Sequence, residues 1–127
     1  MGKALAVIGS MVTADAVAEV PGTRMDTLDD GQAAIAYDCE NEGANSITAL
    51  IRGSIDGENW YDLVAMDEDG VAHAAAEVAI AAAASAVFVL TPLLNNGVGA
   101  AMRFFSLWAR STVAATPGEA VVTGYAK

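Results

Sequence analysis

RGSIDGENWYDL, Arg52 to Leu63, decides how the rest of this chain is read. Asp56-Gly57 lies between two β-rich runs, SITALIRGS before it and NWYDLVAM after it. Asp-Gly in that setting is a strong hairpin signal, because glycine reaches positive φ without a Cβ clash. A three-residue loop, Asp56-Gly57-Glu58, sets Arg52 opposite Asp62, Ile51 opposite Leu63 and Gly53 opposite Tyr61. Opposite charges and apolar groups then face each other, each pair favourable by about 0.2–1 kcal/mol. A two-residue loop would set Ile51 against Asp62, a worse match. Ser54 and Asp56 are expected to hydrogen-bond the loop backbone, and Trp60 to supply packing area. The stretch is therefore a turn that keeps a sheet in register.

Working outward, the same grammar repeats. Ile35, Tyr37 and Cys39 alternate with Ala36, Asp38 and Glu40, the period of a half-buried strand. VPGT (Val20 to Thr23), NEGAN (Asn41 to Asn45), DEDG (Asp67 to Gly70), NNGVG (Asn95 to Gly99) and ATPGE punctuate the chain as turns or loops, and DTLDDG (Asp26 to Gly31) reads as an acidic loop. The alanine-rich block from Val71 to Leu90 admits a helix, since alanine is the best helix former. Val78 and Ile80, then Phe88 and Leu90, also fit two strands joined through the alanines, and β-rich surroundings favour that reading. MRFFSLWARST and EAVVTGYAK supply the last two strands. Short strands with regular turn signals predict an all-β, single-domain antiparallel β-sandwich, Ig-like or jelly-roll-like. Residues 1–20 form an apolar N-terminal arm or first strand, and residues 21–127 the sandwich. The N-terminal apolar run has a weak likeness to a secretion leader; we read it as mature structure.

Composition limits the function. The chain has 127 residues, 54% of them hydrophobic but many of these alanine, and a formal charge of −10 from 16 acidic and 6 basic residues. Phosphate backbones need cations to displace counterions, and anionic membrane surfaces need the same; neither nucleic acid nor membrane is an expected partner. Large side chains are few, and a thin core often leans on a partner surface. Cys39 is the one cysteine and His73 the one histidine, too few for a usual zinc site; Cys39 reads as a buried, inert thiol and His73 as a surface or packed histidine. Asp56, Glu58 and Asp62, like Asp67, Glu68 and Asp69, read as turn caps rather than as an acid/base pair. The acidic turn lacks calcium-loop spacing, and Gly97 with Gly99 makes no phosphate cradle. No catalytic, cofactor-binding or metal-binding residue is expected, and the chain is read as not an enzyme.

Alternation along MRFFSLWAR sets Met102, Phe104 and Trp108 on one face, with Phe105 and Leu107 on the other. A strand apolar on both faces lies between layers or gives one face to an interface. Met102, Phe104, Phe105 and Trp108 are therefore candidate interface residues of a homo-oligomer, and Val7, Ile8, Met11 and Val12 of the apolar N-terminal stretch are added to them. Trp60, Tyr61 and Trp108 as an exposed aromatic platform for a sugar or a protein is the alternative, though aromatics on strands more usually belong to a core.

Two resemblances follow from these motifs. The Ser54-Asp56-Gly57-Trp60 hairpin resembles the Asp-box of sialidase-type propellers, but Gly57 directly follows Asp56 where the box has a spacer, and the box is itself structural. More broadly, Asn41, Gly43, Ser54, Asp56, Gly57, Trp60, Arg110, Pro117 and Gly118 form a pattern similar to small β-sandwich structural proteins of tailed bacteriophages. It covers residues 33–64 and 102–127; the alanine-rich middle and the apolar N-terminus depart from it. The resemblance implies a virion protein made in the host cytoplasm, and best a capsid decoration (cement) protein. Such proteins are often trimeric, bind the major capsid protein or other virion proteins, and stabilise the assembled head from outside. Residues 1–20 would then be the capsid-binding or subunit-exchanging arm. The runners-up are another head or tail component, or a carbohydrate- or protein-binding β-sandwich module.

Overall fold

The computed structural model describes residues 7–27, 34–90, 102–112 and 117–126. These form ten strands: β1 (Val7–Val12), β2 (Ala18–Glu19), β3 (Met25–Asp26), β4 (Ile35–Asn41), β5 (Ile47–Ser54), β6 (Tyr61–Leu63), β7 (Val78–Ile80), β8 (Ser85–Leu90), β9 (Phe104–Ser111) and β10 (Glu119–Ala126). One sheet has the order β1-β10-β4-β8. The other has the order β2-β9-β5-β6, with β3 also pairing β9 and β7 also pairing β5. Every pairing is antiparallel. The chain is an all-β, single-domain antiparallel sandwich that crosses between its sheets after β1, β3, β4, β7, β8 and β9.

Period two builds the core. Ile35, Tyr37 and Cys39 of β4 are fully buried, and so are Phe105, Leu107 and Ala109 of β9 and Ile47, Ala49 and Ile51 of β5. Each fully buried Ile, Leu or Phe contributes about 1.5–3 kcal/mol. The Tyr37 hydroxyl would be costly in that core without a partner; it donates to Thr23 O at 2.6 Å. Thr23 Oγ1 in turn accepts the Leu107 N–H at 3.0 Å. One tyrosine thus ties β4 to the turn between β2 and β3.

The hairpin has the register read from the sequence: Arg52 faces Asp62, Ile51 faces Leu63 and Gly53 faces Tyr61. The loop is longer than three residues, because pairing stops at Gly53–Tyr61. Asp56 Oδ1 takes the N–H groups of Glu58 and Asn59, both at 2.9 Å. Ser54 Oγ accepts the Gly57 N–H at 2.8 Å, and Gly57 sits at φ +83°.

The alanine-rich block is two strands, not a helix. β7 joins the six-stranded sheet and β8 the four-stranded one. Ala81–Ala84 makes the link, with Ala83 at φ +63°. The Asn41 backbone holds this turn: Asn41 O accepts from Ala83 N and Asn41 N donates to Ala84 O, both at 2.9 Å. The Asn41 side chain braces the NEGAN turn through Asn45 O and Gly43 N and reaches across to Ile80 O.

The described part of the N-terminal stretch does not project as an arm. β1 pairs with β10 along its length, and its other side meets the Val20–Thr23 turn. A Cβ on Gly9 would lie 2.0 Å from Pro21 O, and one on Gly22 would lie 2.1 Å from Ile8 O. Only two glycines allow backbones to approach so closely, so the edges of the two sheets close against each other there. The NNGVG loop lies outside the described residues.

Candidate functional site

The two outer faces of the sandwich are the candidate surfaces, and they differ in chemistry. On the six-stranded sheet, β9 turns Phe104, Ser106, Trp108 and Arg110 outward. Their cross-strand neighbours on β5 are Ser54, Arg52, Leu50 and Thr48. Leu50 breaks the alternation of β5: it is fully buried although it faces away from the main core. Trp60 arrives from the hairpin loop and its ring lies 5.6 Å from that of Trp108. Arg24 lies 4.8 Å over Trp60, Arg52 4.7 Å over Trp108, and Arg103 4.7 Å over Phe104. Guanidiniums stack well on ring faces.

Each of these cations also has a carboxylate. Arg24 bonds Glu19 at 2.7 and 3.0 Å, and Arg103 bonds Asp26 at 2.7 and 2.9 Å, both bidentate. Arg52 bonds Asp62 at 2.7 Å. Arg110 bonds Glu77 at 2.9 Å, which with Thr48 holds that carboxyl below its ordinary range. All four arginines of the chain therefore lie on this face with their charges matched. The result is a second, thin apolar layer under a lid of ion pairs.

The outer face of the four-stranded sheet has no such matching. β4 turns Asp38 and Glu40 outward between valines and small polar residues: Asp38 lies between Val87 and Thr123, Glu40 between Ser85 and Val121. Two adjoining hollows meet at Asp38 and Thr123. One, about 190 Å³, reaches Glu40, Glu42 and Val121. The other, about 270 Å³, reaches Glu68, Val87 and Val89. Burial pushes the Asp38 carboxyl above its ordinary value, and the charges of Glu40 and Glu68 add to this. A hydrogen bond to Glu40 raises Glu42, since two carboxylates can share that bond only when one is protonated. Among the described residues no cation pairs with Asp38, Glu40, Glu42 or Glu68.

The expected interface residues do not form one surface. Val7 and Val12 are exposed on β1, while Ile8 and Met11 pack partly against the core. Phe104 and Trp108 lie in the arginine-covered layer. Phe105 is fully buried between the sheets and offers nothing to a partner. Met102 lies before β9 and packs against the core, not beside Phe104, because the strand period starts only at Phe104. Trp60 and Tyr61 make no exposed row: Trp60 is half-buried beneath Arg24, and only Tyr61, 53% exposed, is open. Ser54, Asp56 and Gly57 make the loop bonds described above, and the Asn59 and Glu58 N–H groups hold the Asp56 carboxyl far below its usual range.

The remaining reactive groups are occupied in packing. Cys39 is buried, and burial with the nearby Asp38 charge pushes its thiol up to about 12. His73 Nε2 donates to Val87 O at 2.8 Å, with its ring 5.4 Å from Phe88. The described residues hold no His/Cys/Asp/Glu group arranged to bind a metal, and no helix among them is long and apolar enough to cross a membrane. The alternation of β4 places Asp38 and Glu40 on its polar side; that Glu42 and Glu68 join them, and that the arginines all lie on the other sheet, is set by topology.

No family model matches the sequence, and no curated protein matches it. Among solved structures, the fold is similar to that of the SPBc2 prophage-derived protein YomS, with a TM-score of 0.53 at 8% identity over 91% of this chain and 90% of that one. A weaker likeness is to a chain of Bacillus endospore appendages, described as disulfide-linked pili, with a TM-score of 0.41 at 18% identity over 91% of this chain and 80% of that one.

Proposed function

We propose that this chain is a non-catalytic structural protein of a phage-type particle, and within that class a head decoration protein that docks on an assembled shell. The observation that carries the reading is the fold held in common with a prophage-derived protein over almost the whole of both chains. The use of the buried polar groups agrees with it. Asn41, Thr13 with Ser111, and Thr23 all brace turns and sheet edges, so these side chains serve shape. The mechanism is linkage: a protein that binds the assembled shell but not its loose subunits stabilises the shell by mass action. Its partners are the major capsid protein or another virion protein, and copies of itself, with a trimer favoured.

Mass spectrometry of particles purified from cells carrying the gene tests the reading. We expect the chain in the particles at a fixed ratio to the major head protein. Its absence from particles, while it is present in the lysate, overturns the proposal. Light scattering on the purified chain addresses the finer point: a stable trimer agrees with head decoration, and a monomer at all concentrations turns the reading towards another structural position.

A further inference from the structure

We propose that the outer face of the four-stranded sheet is the docking surface, and that its occupant is an extended segment of a partner protein alternating arginine or lysine with apolar residues. This rests on the reading of the chain as a structural protein that binds a protein scaffold.

Three features of the face support that occupant. First, the rows across the sheet set a carboxylate in the middle with valine alongside. Asp38 has Val87 beside it on β8, and Glu40 has Val121 beside it on β10. An arginine or lysine that reaches Asp38 or Glu40 can lay its aliphatic stem along those valines and keep its charge at the carboxylate. Second, charge complementarity fixes the sign. The face carries Asp38, Glu40, Glu42 and Glu68 with no cation among the described residues, while every arginine of the chain is committed to the opposite sheet. Third, the surface is concave, with two hollows that meet at Asp38 and Thr123. Two adjoining hollows over β4, β8 and β10 suit a strand-like segment with alternate side chains pointing inward.

The same geometry explains why the face is costly in the free chain. Burial of Asp38, with the charges of Glu40 and Glu68 beside it, disfavours its ionised form, and the hydrogen bond to Glu40, with the charges of Glu40 and Glu119, does the same to Glu42. A basic partner offsets that penalty by pairing the carboxylates and supplies charge-assisted hydrogen bonds to them. Binding is therefore expected to release protons on the acid side of neutrality. It is also expected to weaken as salt rises from about 0.01 M to about 0.15 M, where the screening length falls from about 30 Å to about 8 Å.

The test uses the full chain, isotopically labelled, and a short blocked peptide alternating arginine with valine as probe. A peptide with glutamate in place of arginine is the control. We expect amide shifts confined to β4, β8 and β10 with the basic peptide and none with the acidic one. The variant D38N/E40Q/E42Q is expected to weaken binding by about tenfold or more. These side chains are at the surface and repel one another, so the variant should remain folded; its amide spectrum verifies this. Shifts on the six-stranded sheet instead, or equal binding by the folded variant, would sink the proposal. So would the same shifts from millimolar calcium alone, which would make the face an ion site. The particle assay keeps the two proposals apart. If the variant enters particles as well as the parent does, the structural role stands and this face is not the dock. If the parent is absent from particles yet binds the basic peptide, the face stands and the particle role falls.

Discussion

Both outer faces of this sandwich carry carboxylates, but only those of the six-stranded sheet meet an arginine. There, Glu19, Asp26, Asp62 and Glu77 each neutralise a guanidinium, and three of the four guanidiniums also cover an aromatic ring. On the four-stranded sheet, burial and the charges of Glu40 and Glu68 disfavour the ionised form of Asp38. The difference lies in what each face leaves unsatisfied. A surface whose apolar rings are lidded and whose charges are matched has little left to offer a partner. A surface with hollows, valines and unmatched charge retains a free-energy penalty that a complementary partner would remove.

The comparison is tested hardest at Leu50. If the arginine-covered layer is a second core, Leu50→Ala should cost about 2–5 kcal/mol, as in any buried leucine site. Val121→Ala, on the open face, should cost less than about 1 kcal/mol, because half-exposed groups lose little burial. Denaturant melts of the two variants measure this. Equal small losses would mean that the ring layer is surface decoration and that the two faces do not differ in kind.

The pH dependence of stability reads the two carboxylate populations separately. Asp38 and Glu42 have raised values in the fold. Their contribution is fully present below the unfolded values, about 3.9 for Asp and 4.3 for Glu, and is lost as pH rises through the folded ones. Asp56 and Glu77 have lowered values. Their contribution is present above the unfolded values and is lost as pH falls through the folded ones. The melting temperature should therefore peak on the acid side, near about pH 4–5, and decline towards neutrality. Asp56→Asn should flatten only the acid limb, and D38N/E42Q only the limb above the peak. A plateau from about pH 5 to 8 in the parent would show that the acidic face carries no net strain.

Much of this was legible in the sequence, and the boundary of legibility has a physical cause. The period-two run Ile35, Tyr37, Cys39 gave β4 its buried side, and charge pairing gave the β5–β6 register, since both are local patterns. The alanine-rich block resolved into β7 and β8 because Val78, Ile80, Phe88 and Leu90 kept strand spacing. What the sequence could not reveal is which sheet each strand joins. Glu68, in a turn, meets Asp38 only because β8 lies beside β4. Trp60 and Trp108 lie far apart in sequence, and nothing local marks Leu50 as their partner. Their common layer depends on Arg24, Arg52 and Arg103 arriving from three different elements. Solvent-facing clusters of this kind are set by topology, and topology is a long-range property.

A smaller effect is expected from the arginine stack itself. A double-mutant cycle on Arg52→Met and Trp108→Leu should give a coupling of about 0.5–1 kcal/mol, the range for a partly exposed cation over a ring. That pair is 4.7 Å apart with Asp62 holding the guanidinium in place. Additivity within error would mean that the arginine merely lies near the ring, and the lid would lose its energetic meaning.

The smallest effect falls on the open face and has the opposite sign. Asp38→Asn keeps the shape of the side chain and removes one of the repelling charges. At neutral pH it should stabilise the fold by about 0.2–0.5 kcal/mol, once solvent screening of this largely exposed group is allowed for. The gain should shrink as ionic strength rises from about 0.01 M to about 0.15 M, and should fade as pH falls through about 3.9, the unfolded Asp value, below which the carboxyl becomes protonated in both states. In a Glu40→Gln background it should also be smaller, because part of the repulsion has already gone. Most single substitutions destabilise, so a gain with this salt and pH dependence would be specific to a charge held without its counterpart. A loss of stability at low salt would mean that the ionised Asp38 is favoured in the fold, and the contrast between the two faces would then rest on shape alone.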